Sequence, residues 1–542
     1  MLNYQGKGVT KAVAVGRLRL QRKAAADGAD AGAAAAGTPA EEKEIFLAAK
    51  AKAMEQLTAL YEQALAEVGE KQAEIFVMHQ GMLDDFDLNE AIEEAIADGA
   101  GALQAVTQAG EMFASMFACS EEEYLRARAA DVRDVVARLQ RCLAGTEETV
   151  LQADESFVLV AEDLTPSDTL QLDRSKLLGF VTAGGSTTSH TAILARSLGL
   201  PAVVATGLQV DELQDGQEII VDGEQGIVIV EPEAEMLAHY RQRAAELAAE
   251  RELLEAQRGL ATETKSGRRI ELAANIGSVA DAELAFANDA ESIGLFRSEF
   301  LFLGRETMPS EEEQLKVYRQ VLEKAQGRRV VIRTLDIGAD KKVDYLNLPA
   351  EENPALGCRA VRLCLQRPEL FCAQLRALCR ASVYGRLAIM VPMIISRAEV
   401  LRVKELLAEV KAELRAEGIA LAEKLEFGIM IETPAAAICS AELAQEVDFF
   451  SLGTNDLTQY TLALDRQNAG LEEFLDRHHP AVLQLIGLTI KHAKEAGIKV
   501  CICGELGADP ELTETFIRWG VDELSVTPVG ILPLRARIRA LD

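Results

Sequence analysis

The segment 425–434, LEFGIMIETP, contains an apolar run that ends at a carboxylate, Glu432. Seven other runs of strand-forming residues occur between positions 261 and 542, and helical patterns separate them. The eight predicted strands are residues 269–276, 292–299, 330–336, 387–394, 425–432, 448–454, 498–503 and 522–527. About 280 residues with eight strand–helix units is the size of a TIM barrel, and we therefore expect residues 261–542 to form a (β/α)8 barrel.

Polar side chains follow several of these strands, at the ends where the active sites of such barrels lie. They are Arg297, Arg333, Glu432, Asp456 and Cys503, with Arg466 ten residues beyond Asp456. Three arginines suit a substrate with both phosphate and carboxylate groups, because the guanidinium fork binds each group bidentately. Two carboxylates suit Mg²⁺, and a thiol could supply a proton to a developing carbanion. Any one of these residues could belong to a surface salt bridge, but the whole set at strand ends predicts a site.

His190 lies in a second unusual segment, residues 184–196, GGSTTSHTAILAR. Glycines let a backbone approach a ligand closely, and the Ser and Thr residues can cap a helix or hydrogen-bond phosphate oxygens. An imidazole that is neutral near pH 7 is also a good nucleophile toward phosphorus. A buried, helix-capping histidine is the alternative, but the composition around His190 favours phosphohistidine chemistry.

The segments before the barrel differ from it in composition. Residues 1–22 and 146–230 contain short apolar strands around the His190 segment and predict one α/β domain. Residues 23–145 form an insertion in that domain, and most of it has the pattern of a helical bundle rich in Glu, Ala and Leu. Residues 231–260 predict a helical linker. The sequence thus predicts an α/β multidomain protein.

Composition limits the partners and the compartment. The chain has 542 residues, 49% of them apolar, and a formal net charge of −30. This charge argues against nucleic acid or an anionic membrane as a partner and favours a basic protein. The nine cysteines are scattered, as reduced thiols are, and we find neither a signal segment nor an apolar run of transmembrane length. We therefore expect a cytoplasmic protein without membrane insertion.

Seven segments together resemble enzyme I of phosphoenolpyruvate-dependent sugar phosphotransferase systems, over nearly the full chain. They are 128–134 (RAADVRD), 184–196, 294–301 (GLFRSEFL), 332–338 (IRTLDIG), 351–354 (EENP), 453–460 (GTNDLTQY) and 503–506 (CGEL). The resemblance implies a phosphohistidine α/β swivel domain with an inserted helical bundle, followed by a phosphoenolpyruvate-binding TIM barrel. It also implies a homodimer through the barrel domain.

The resemblance implies the reaction as well. His190 would take the phosphoryl group of phosphoenolpyruvate and pass it to a histidine of a phosphocarrier protein, releasing pyruvate, as the first step of sugar uptake and phosphorylation. Glu432 and Asp456 would ligate Mg²⁺, and Cys503 would protonate the enolate of pyruvate. Because His190 must meet first the barrel and then the carrier, its domain would swivel about the linker.

Two further sets of residues follow from the resemblance, one for the substrate and one for the protein partner. The residues implied to hold phosphate and carboxylate are Arg297, Arg333, Lys341, Asn455 and Arg466. The residues implied to contact the histidine-containing phosphocarrier protein are His79, Met82 and Leu83.

The chain departs from the family pattern at a few positions. Thr10-Lys11-Ala12 stands where the family has Ser-Pro-Gly, Ser186 and Thr187 are unusual beside His190, and Cys358 replaces a tryptophan. The chain also ends at Asp542, earlier than is usual in the family. This early end leaves open whether the barrel has its last helix and how the barrel closes.

Two other functions compete with this interpretation. Pyruvate phosphate dikinase and phosphoenolpyruvate synthase share the histidine domain and the barrel, but they need an additional ATP-binding domain for which this chain has no room. A non-catalytic regulatory relative would bind only the carrier or phosphoenolpyruvate, and the intact set of His190, arginines and carboxylates argues against it. Labelling with phosphoenolpyruvate in the absence of ATP distinguishes all three.

Overall fold

The structure, a computed structural model, describes most of the chain in two compact units. The described residues are 1–21, 37–67, 70–119, 123–145, 155–164, 168, 176–186, 192, 195–196, 199–339, 341, 343–466 and 468–542. The first unit comprises residues 1–250 and the second residues 251–542.

The first unit contains an eight-stranded sheet. Its strands are β1 (Leu2–Gln5), β2 (Lys7–Gly8), β3 (Val13–Gln21), β4 (Phe157–Ala161), β5 (Leu177–Thr182), β6 (Ala202–Val204), β7 (Glu218–Asp222) and β8 (Ile227–Val230). The spatial order is β1-β8-β7-β3-β4-β5-β6-β2, with β3, β4, β5 and β6 parallel to one another. Because β3 pairs with β4 across more than a hundred residues of sequence, the amino-terminal strands complete the sheet around the His190 segment, as the sequence predicts.

The structure describes five helices between β3 and β4 in the chain. They are α1 (Pro39–Glu67), α2 (Glu70–Leu83), α3 (Phe86–Ala97), α4 (Ala102–Ala118) and α5 (Glu123–Ala144). They share one apolar core, and on α5 the buried positions Val132, Val135, Val136 and Leu139 recur at the three- and four-residue spacing of a helix face. The predicted helical bundle is confirmed.

The helix α6 (Ala234–Glu255) follows the sheet, and none of its residues is buried. Its sequence is rich in Ala, Glu and Arg, which favour a helix without requiring an apolar partner. The predicted helix between the sheet and the barrel is therefore present.

The second unit is a closed barrel. Its strands are β9 (Glu271–Ile276), β10 (Ser292–Arg297), β11 (Arg329–Arg333), β12 (Arg386–Val391), β13 (Glu426–Ile431), β14 (Phe449–Leu452), β15 (Lys499–Ile502) and β16 (Glu523–Val526). Each strand pairs in parallel with the next, and β16 pairs with β9 to close the ring. The predicted TIM barrel is confirmed.

Helices surround this barrel and cover its outer face. They are α7 (Val279–Ala287), α8 (Glu311–Ala325), α9 (Val361–Gln366), α10 (Pro368–Ala381), α11 (Arg397–Ala416), α12 (Pro434–Ile438), α13 (Ser440–Leu443), α14 (Thr454–Leu462), α15 (Pro480–Ala496), α16 (Thr513–Trp519) and α17 (Ile531–Ala540). Capping boxes begin α8 at Ser310 and α11 at Ser396. The main apolar core lies between these helices and the strands.

The barrel has its last helix, because α17 follows β16. Ile531, Leu534 and Ile538 are buried in the barrel core at helical spacing. Arg535 is also buried, and its Nη1 forms an ion pair with Asp289. The ring of helices therefore closes within the 542 residues.

Among the described helices, none combines the length and the apolar character that a membrane crossing requires.

Candidate active site at the barrel rim

All eight barrel strands are parallel, so their carboxyl-terminal ends meet at one rim. Six of the residues selected from the sequence end a strand or lie within four residues of its end. In chain order they are Arg297, Arg333, Glu432, Asn455, Asp456 and Cys503. Lys341 and Arg466 lie in the loops that follow β11 and α14. The structure therefore brings all eight selected barrel residues to the same face.

The guanidinium group of Arg333 is buried and held by two carboxylates. Its Nη2 donates a hydrogen bond to Oε1 of Glu299, and its Nη1 lies 3.1 Å from Oδ2 of Asp336. Burial alone would lower the pKa of Arg333, but the charges of Glu299 and Asp336 outweigh it and raise that pKa. Arg333 is therefore charged and oriented before any ligand binds.

Asp336 collects positive charge from its neighbours. Nη2 of Arg359 donates to its Oδ1 at 2.9 Å, and Nζ of Lys341 donates to its backbone carbonyl at 2.6 Å. Nζ of Lys341 also lies 3.9 Å from Oε1 of Glu299. Burial would raise the pKa of Asp336, but Arg333, Arg359 and Lys341 hold it below its usual range. Side chains from the turn after β10, the end of β11 and the loop after β11 thus form one charge network.

Glu432 is buried and lacks a positive partner of this kind. Its Oε1 accepts a hydrogen bond from the backbone N–H of Met393 at 2.6 Å, whereas its Oε2 accepts none from the described residues. Met393 has φ of 60°, a left-handed conformation that is uncommon for a residue other than glycine. Burial, together with the charges of Asp456 and Asp336, raises the pKa of Glu432 to about 8. This carboxylate needs either a proton or a cation.

The surroundings of Glu432 fit a divalent cation. A Cβ atom added at Gly453 would lie 2.9 Å from Oε2 of Glu432, so space beside this oxygen depends on the glycine. Asp456 is the second carboxylate at this place, and its charge acts on Glu432. In the described part of the chain, no cluster of three or more His, Cys, Asp or Glu residues could hold a metal ion. A cation here would take its other ligands from water or substrate, as Mg²⁺ does.

Asp456 and Asn455, at the start of α14, contact residues of two neighbouring segments of the rim. Oδ1 of Asp456 lies 3.4 Å from Nε of Arg466, and the backbone N–H of Arg466 donates to Oε1 of Gln459 at 3.1 Å. Asn455 donates from Nδ2 to Oε1 of Glu505 at 3.2 Å and accepts from the backbone N–H of Glu505 at 3.1 Å. The start of α14 is thereby joined to the turn after β15 at Asn455, one of the residues predicted to hold substrate.

Cys503 is a buried thiol at the end of β15. Its Sγ lies 3.5 Å from the carbonyl oxygen of Leu452, to which it donates. Burial raises the pKa of Cys503 to about 11, although the nearby charges of Arg333 and Arg297 lower it. The group is therefore a protonated thiol near neutral pH, the form that can give up a proton.

His190, the predicted phosphorylation site, lies outside the described residues, and so do Thr187 and Thr188. The described flanks are Gly185, which has φ of 86°, and Ala192, which is fully buried. A backbone in this left-handed region favours glycine, which is consistent with the glycine-rich segment before His190.

The three residues predicted to contact a carrier protein differ in exposure. His79 and Leu83 are buried inside the bundle, and only Met82 is partly exposed. Nε2 of His79 lies 3.4 Å from Oδ1 of Asp131, and Nδ1 lies 3.8 Å from Oδ2 of Asp134. The expectation that His79 and Leu83 form a surface is thus corrected, because their spacing places them on the core face of α2.

Other apolar side chains of the bundle, near Met82 and on α4, are exposed instead, and none of them is among the residues predicted to contact the carrier. Phe86 at the start of α3 is 73% exposed, and Met112 and Met116 on α4 are 56% and 60% exposed. Met112 and Met116 are one helical turn apart and share a face. For Phe86, the sequence does contain an indication of exposure, because this aromatic residue lies among the acids Asp84, Asp85 and Asp87.

The closed parallel barrel, with arginines and buried acids at its rim, has the architecture of a barrel enzyme with a charged site. Three family models match the chain: the PEP-binding domain of PEP-utilising enzymes at residues 251–542, their mobile domain at 153–226 and their N-terminal domain at 5–128. The chain therefore belongs to the phosphoenolpyruvate-utilising enzymes.

Curated relatives share nearly the whole length. Phosphoenolpyruvate-protein phosphotransferase of Bacillus sp. (strain S) is 46% identical over 92% of this chain and 86% of its own. The proteins of the same name from Geobacillus stearothermophilus and Bacillus subtilis (strain 168) are 46% and 43% identical over 91% and 92% of this chain, and 86% and 87% of their own.

We predict that Glu432 makes the metal-free protein less stable as the pH rises. Its pKa of about 8 in the folded chain lies above the ordinary value of 4.5, so the folded state binds the extra proton between these values. The stabilising effect of that proton is complete below about pH 4.5 and is lost as the pH rises to about 8, at up to about 1.4 kcal/mol per pH unit.

Urea unfolding with a chelator, at a series of pH values, measures this effect against Glu432→Gln. The free energy of unfolding of the variant should exceed that of the wild type by an amount that grows from pH 5 to pH 8, and Mg²⁺ should reduce the difference. A difference that does not change with pH would show that Glu432 carries no raised pKa.

Proposed function

We propose that the chain transfers the phosphoryl group of phosphoenolpyruvate to His190 and then to a histidine of a phosphocarrier protein, releasing pyruvate. This would be the first step of phosphotransferase-dependent sugar uptake. The observation that carries the proposal is the match to relatives named phosphoenolpyruvate-protein phosphotransferase along nearly the whole chain. The charged rim of the barrel supplies a site suited to that substrate.

The substrate would be held by the arginines of the rim. Arg333 supplies a buried guanidinium that Glu299 and Asp336 already orient. Arg297 ends β10 with an exposed side chain, and Arg466 lies beside Asp456. Planar guanidinium groups can bind phosphate and carboxylate bidentately, and their fixed orientation lowers the entropy lost on binding.

We propose Mg²⁺ as the cofactor, with Glu432 and Asp456 as its protein ligands. Two observations support this assignment: Oε2 of Glu432 has no hydrogen-bond partner among the described residues, and Gly453 leaves this oxygen uncrowded. When bound, the cation would neutralise charge on the phosphate and carboxylate oxygens of the substrate. Glu432 would have to lose its proton first, because only the carboxylate form ligates a cation.

The chemistry would consist of one displacement and one protonation. The bond between phosphorus and the enol oxygen breaks while a bond forms between phosphorus and an imidazole nitrogen of His190. The electron pair stays on the departing enolate, whose methylene carbon takes the thiol proton of Cys503 to give pyruvate. The thiolate of Cys503 then regains a proton from solvent. Positioning and charge neutralisation supply most of the catalysis in phosphoryl transfer.

The carrier would dock at the end of the bundle where α2, α3 and α4 expose apolar side chains. Helices α3 and α4 follow each other as a hairpin. Phe86 lies eleven residues before the end of α3, and Met112 lies ten residues after the start of α4, so the two side chains are at about the same height in the hairpin. We define the docking patch as Met82, Phe86, Met112 and Met116. The exposed acids Asp84, Asp85 and Asp87 beside it would steer a basic partner.

We also propose a homodimer through the barrel unit and a cytoplasmic location. The barrel unit exposes single apolar side chains, among them Ile438, Phe474 and Val529, which contact with a second copy would cover. The nine cysteines are all described by the structure as thiols and not as disulfides, which supports a reducing compartment.

The reaction is tested by incubation with radiolabelled phosphoenolpyruvate and Mg²⁺ without ATP. The wild type should take up acid-labile, base-stable label and pass it to added carrier, since phosphohistidine has that stability. His190→Ala should take up none, yet still bind phosphoenolpyruvate. Label that persists in His190→Ala would contradict the role of His190, and a wild type without label would favour a regulatory protein.

The docking patch is tested by titrating a histidine-containing phosphocarrier protein against full-length variants. Phe86→Ser should weaken carrier binding by about tenfold or more, because exposed aromatic side chains often dominate an interface. Leu103→Ser is the control, because Leu103 is also an exposed apolar residue, 43% accessible, at the other end of α4. Equal losses in both variants, or none in either, would place the docking site elsewhere.

A further inference from the structure

A buried hydrogen-bond network lies behind the rim, at the ends of β10 and β11. Its centre is Gln374 on α10, whose side chain is fully buried. Nε2 of Gln374 donates to Oγ of Ser298 at 3.0 Å and to the hydroxyl oxygen of Tyr318 at 3.1 Å. Its Oε1 accepts from the backbone N–H of Leu335 at 2.9 Å. Both amide hydrogens and the amide oxygen are therefore used.

The two rim partners of Gln374 are next to substrate-site residues. Ser298 directly follows Arg297, and Leu335 lies between Arg333 and Asp336 in the chain. β11 ends at Arg333, so the N–H of Leu335 lies beyond the strand and needs a side-chain acceptor. The side-chain oxygen of Gln374 is that acceptor. Its amide nitrogen donates to Ser298, so Gln374 connects Leu335 to the end of β10.

The network is anchored on the far side by α8. The hydroxyl of Tyr318 donates to Oε1 of Gln314 at 3.2 Å, and Nε2 of Gln314 donates to the carbonyl oxygen of Pro309 at 3.1 Å. The ring of Tyr318 packs edge-on against Phe296 of β10, with 6.2 Å between centroids. A chain of satisfied, buried polar groups of this kind allows little movement.

We propose that Gln374 is a positioning residue that fixes the separation of the β10 and β11 ends, so that Arg297 and Arg333 converge on one anion. The inference rests on the proposed function, because it concerns the binding of phosphoenolpyruvate by these two arginines. The hydrogen bonds of its side chain go to Ser298, Tyr318 and Leu335 and not to a guanidinium group, so Gln374 would act through Ser298 and Leu335. Displacements of about 1 Å in a binding constellation of this kind cost substantial affinity or rate.

The test is the affinity of full-length protein for phosphoenolpyruvate with Mg²⁺, measured by calorimetry in a His190→Ala background so that the ligand stays intact. Gln374→Met keeps the length of the side chain and removes all three hydrogen bonds. We expect the dissociation constant to rise about tenfold or more, the scale of one lost charge-assisted contact. An affinity equal to that of the parent would overturn the proposal.

Gln314→Met is the matched control. Gln314 is as buried as Gln374 and belongs to the same network, but its partners are Tyr318 and Pro309 rather than the strand ends. The control should lower stability while the affinity for phosphoenolpyruvate stays within about twofold. Equal losses of affinity in both variants would reduce Gln374 to a general structural role and overturn the proposal.

A double-mutant cycle with Arg333→Ala separates positioning from general destabilisation. If Gln374 acts by aligning Arg333 with Arg297, Gln374→Met should cost much less affinity once Arg333 is already absent; simple additivity would contradict the proposal. Arg333→Ala by itself tests the proposed function, because unchanged affinity in that single variant would place substrate elsewhere.

Ser298→Ala keeps the proposal testable if Gln374→Met fails to fold. It removes only the connection from Gln374 to β10 and leaves the bond to Leu335 intact. It should weaken phosphoenolpyruvate binding by about threefold or more, as the loss of one buried hydrogen bond would. Affinity equal to that of the parent in this variant would overturn the proposal.

Discussion

The buried ion pairs of Arg333 with Glu299 and Asp336 are the interaction on which the barrel rim depends. A guanidinium with its pKa raised by two carboxylates stays charged in a place where burial alone would disfavour the charge. Asp336 in turn needs Arg359, and Glu299 lies near Lys341, so the network is close to charge balance before a ligand arrives. An anionic substrate would join aligned donors instead of reorganising them, and this preorganisation saves binding free energy.

Around Glu432, by contrast, negative charge is not matched by a direct positive partner. Its carboxylate is buried near two other acids, receives one backbone hydrogen bond and has one oxygen without a partner among the described residues. A proton satisfies it in the metal-free protein, and a divalent cation would satisfy it in the working enzyme. If the proposed substrate and cation bind here, the oriented guanidinium of Arg333 would meet the anion, and the carboxylate of Glu432 would meet the cation.

Much of this arrangement could be predicted from the sequence. Arg297, Arg333, Glu432 and Cys503 were selected because they follow apolar strands, and parallel strands bring such positions to one rim whatever the rest of the fold does. Burial of His79 and the presence of the last helix could also have been predicted, because the 76-79-83 and 531-534-538 spacings are those of a helix face. No sequence pattern points to the role of Gln374. Its partner Ser298 is 76 positions away, and only the packing of α10 behind β10 and β11 brings the two residues together.

The affinity of Arg333→Lys for phosphoenolpyruvate tests the central claim most directly. Lysine keeps the positive charge between Glu299 and Asp336 but cannot provide the planar fork that these acids orient. With Mg²⁺, the full-length variant should fold like the wild type and bind phosphoenolpyruvate about tenfold or more weakly, on the scale of a charge-assisted hydrogen bond. Wild-type affinity in Arg333→Lys would contradict the account, since charge alone would then suffice and the orientation of the guanidinium would not matter.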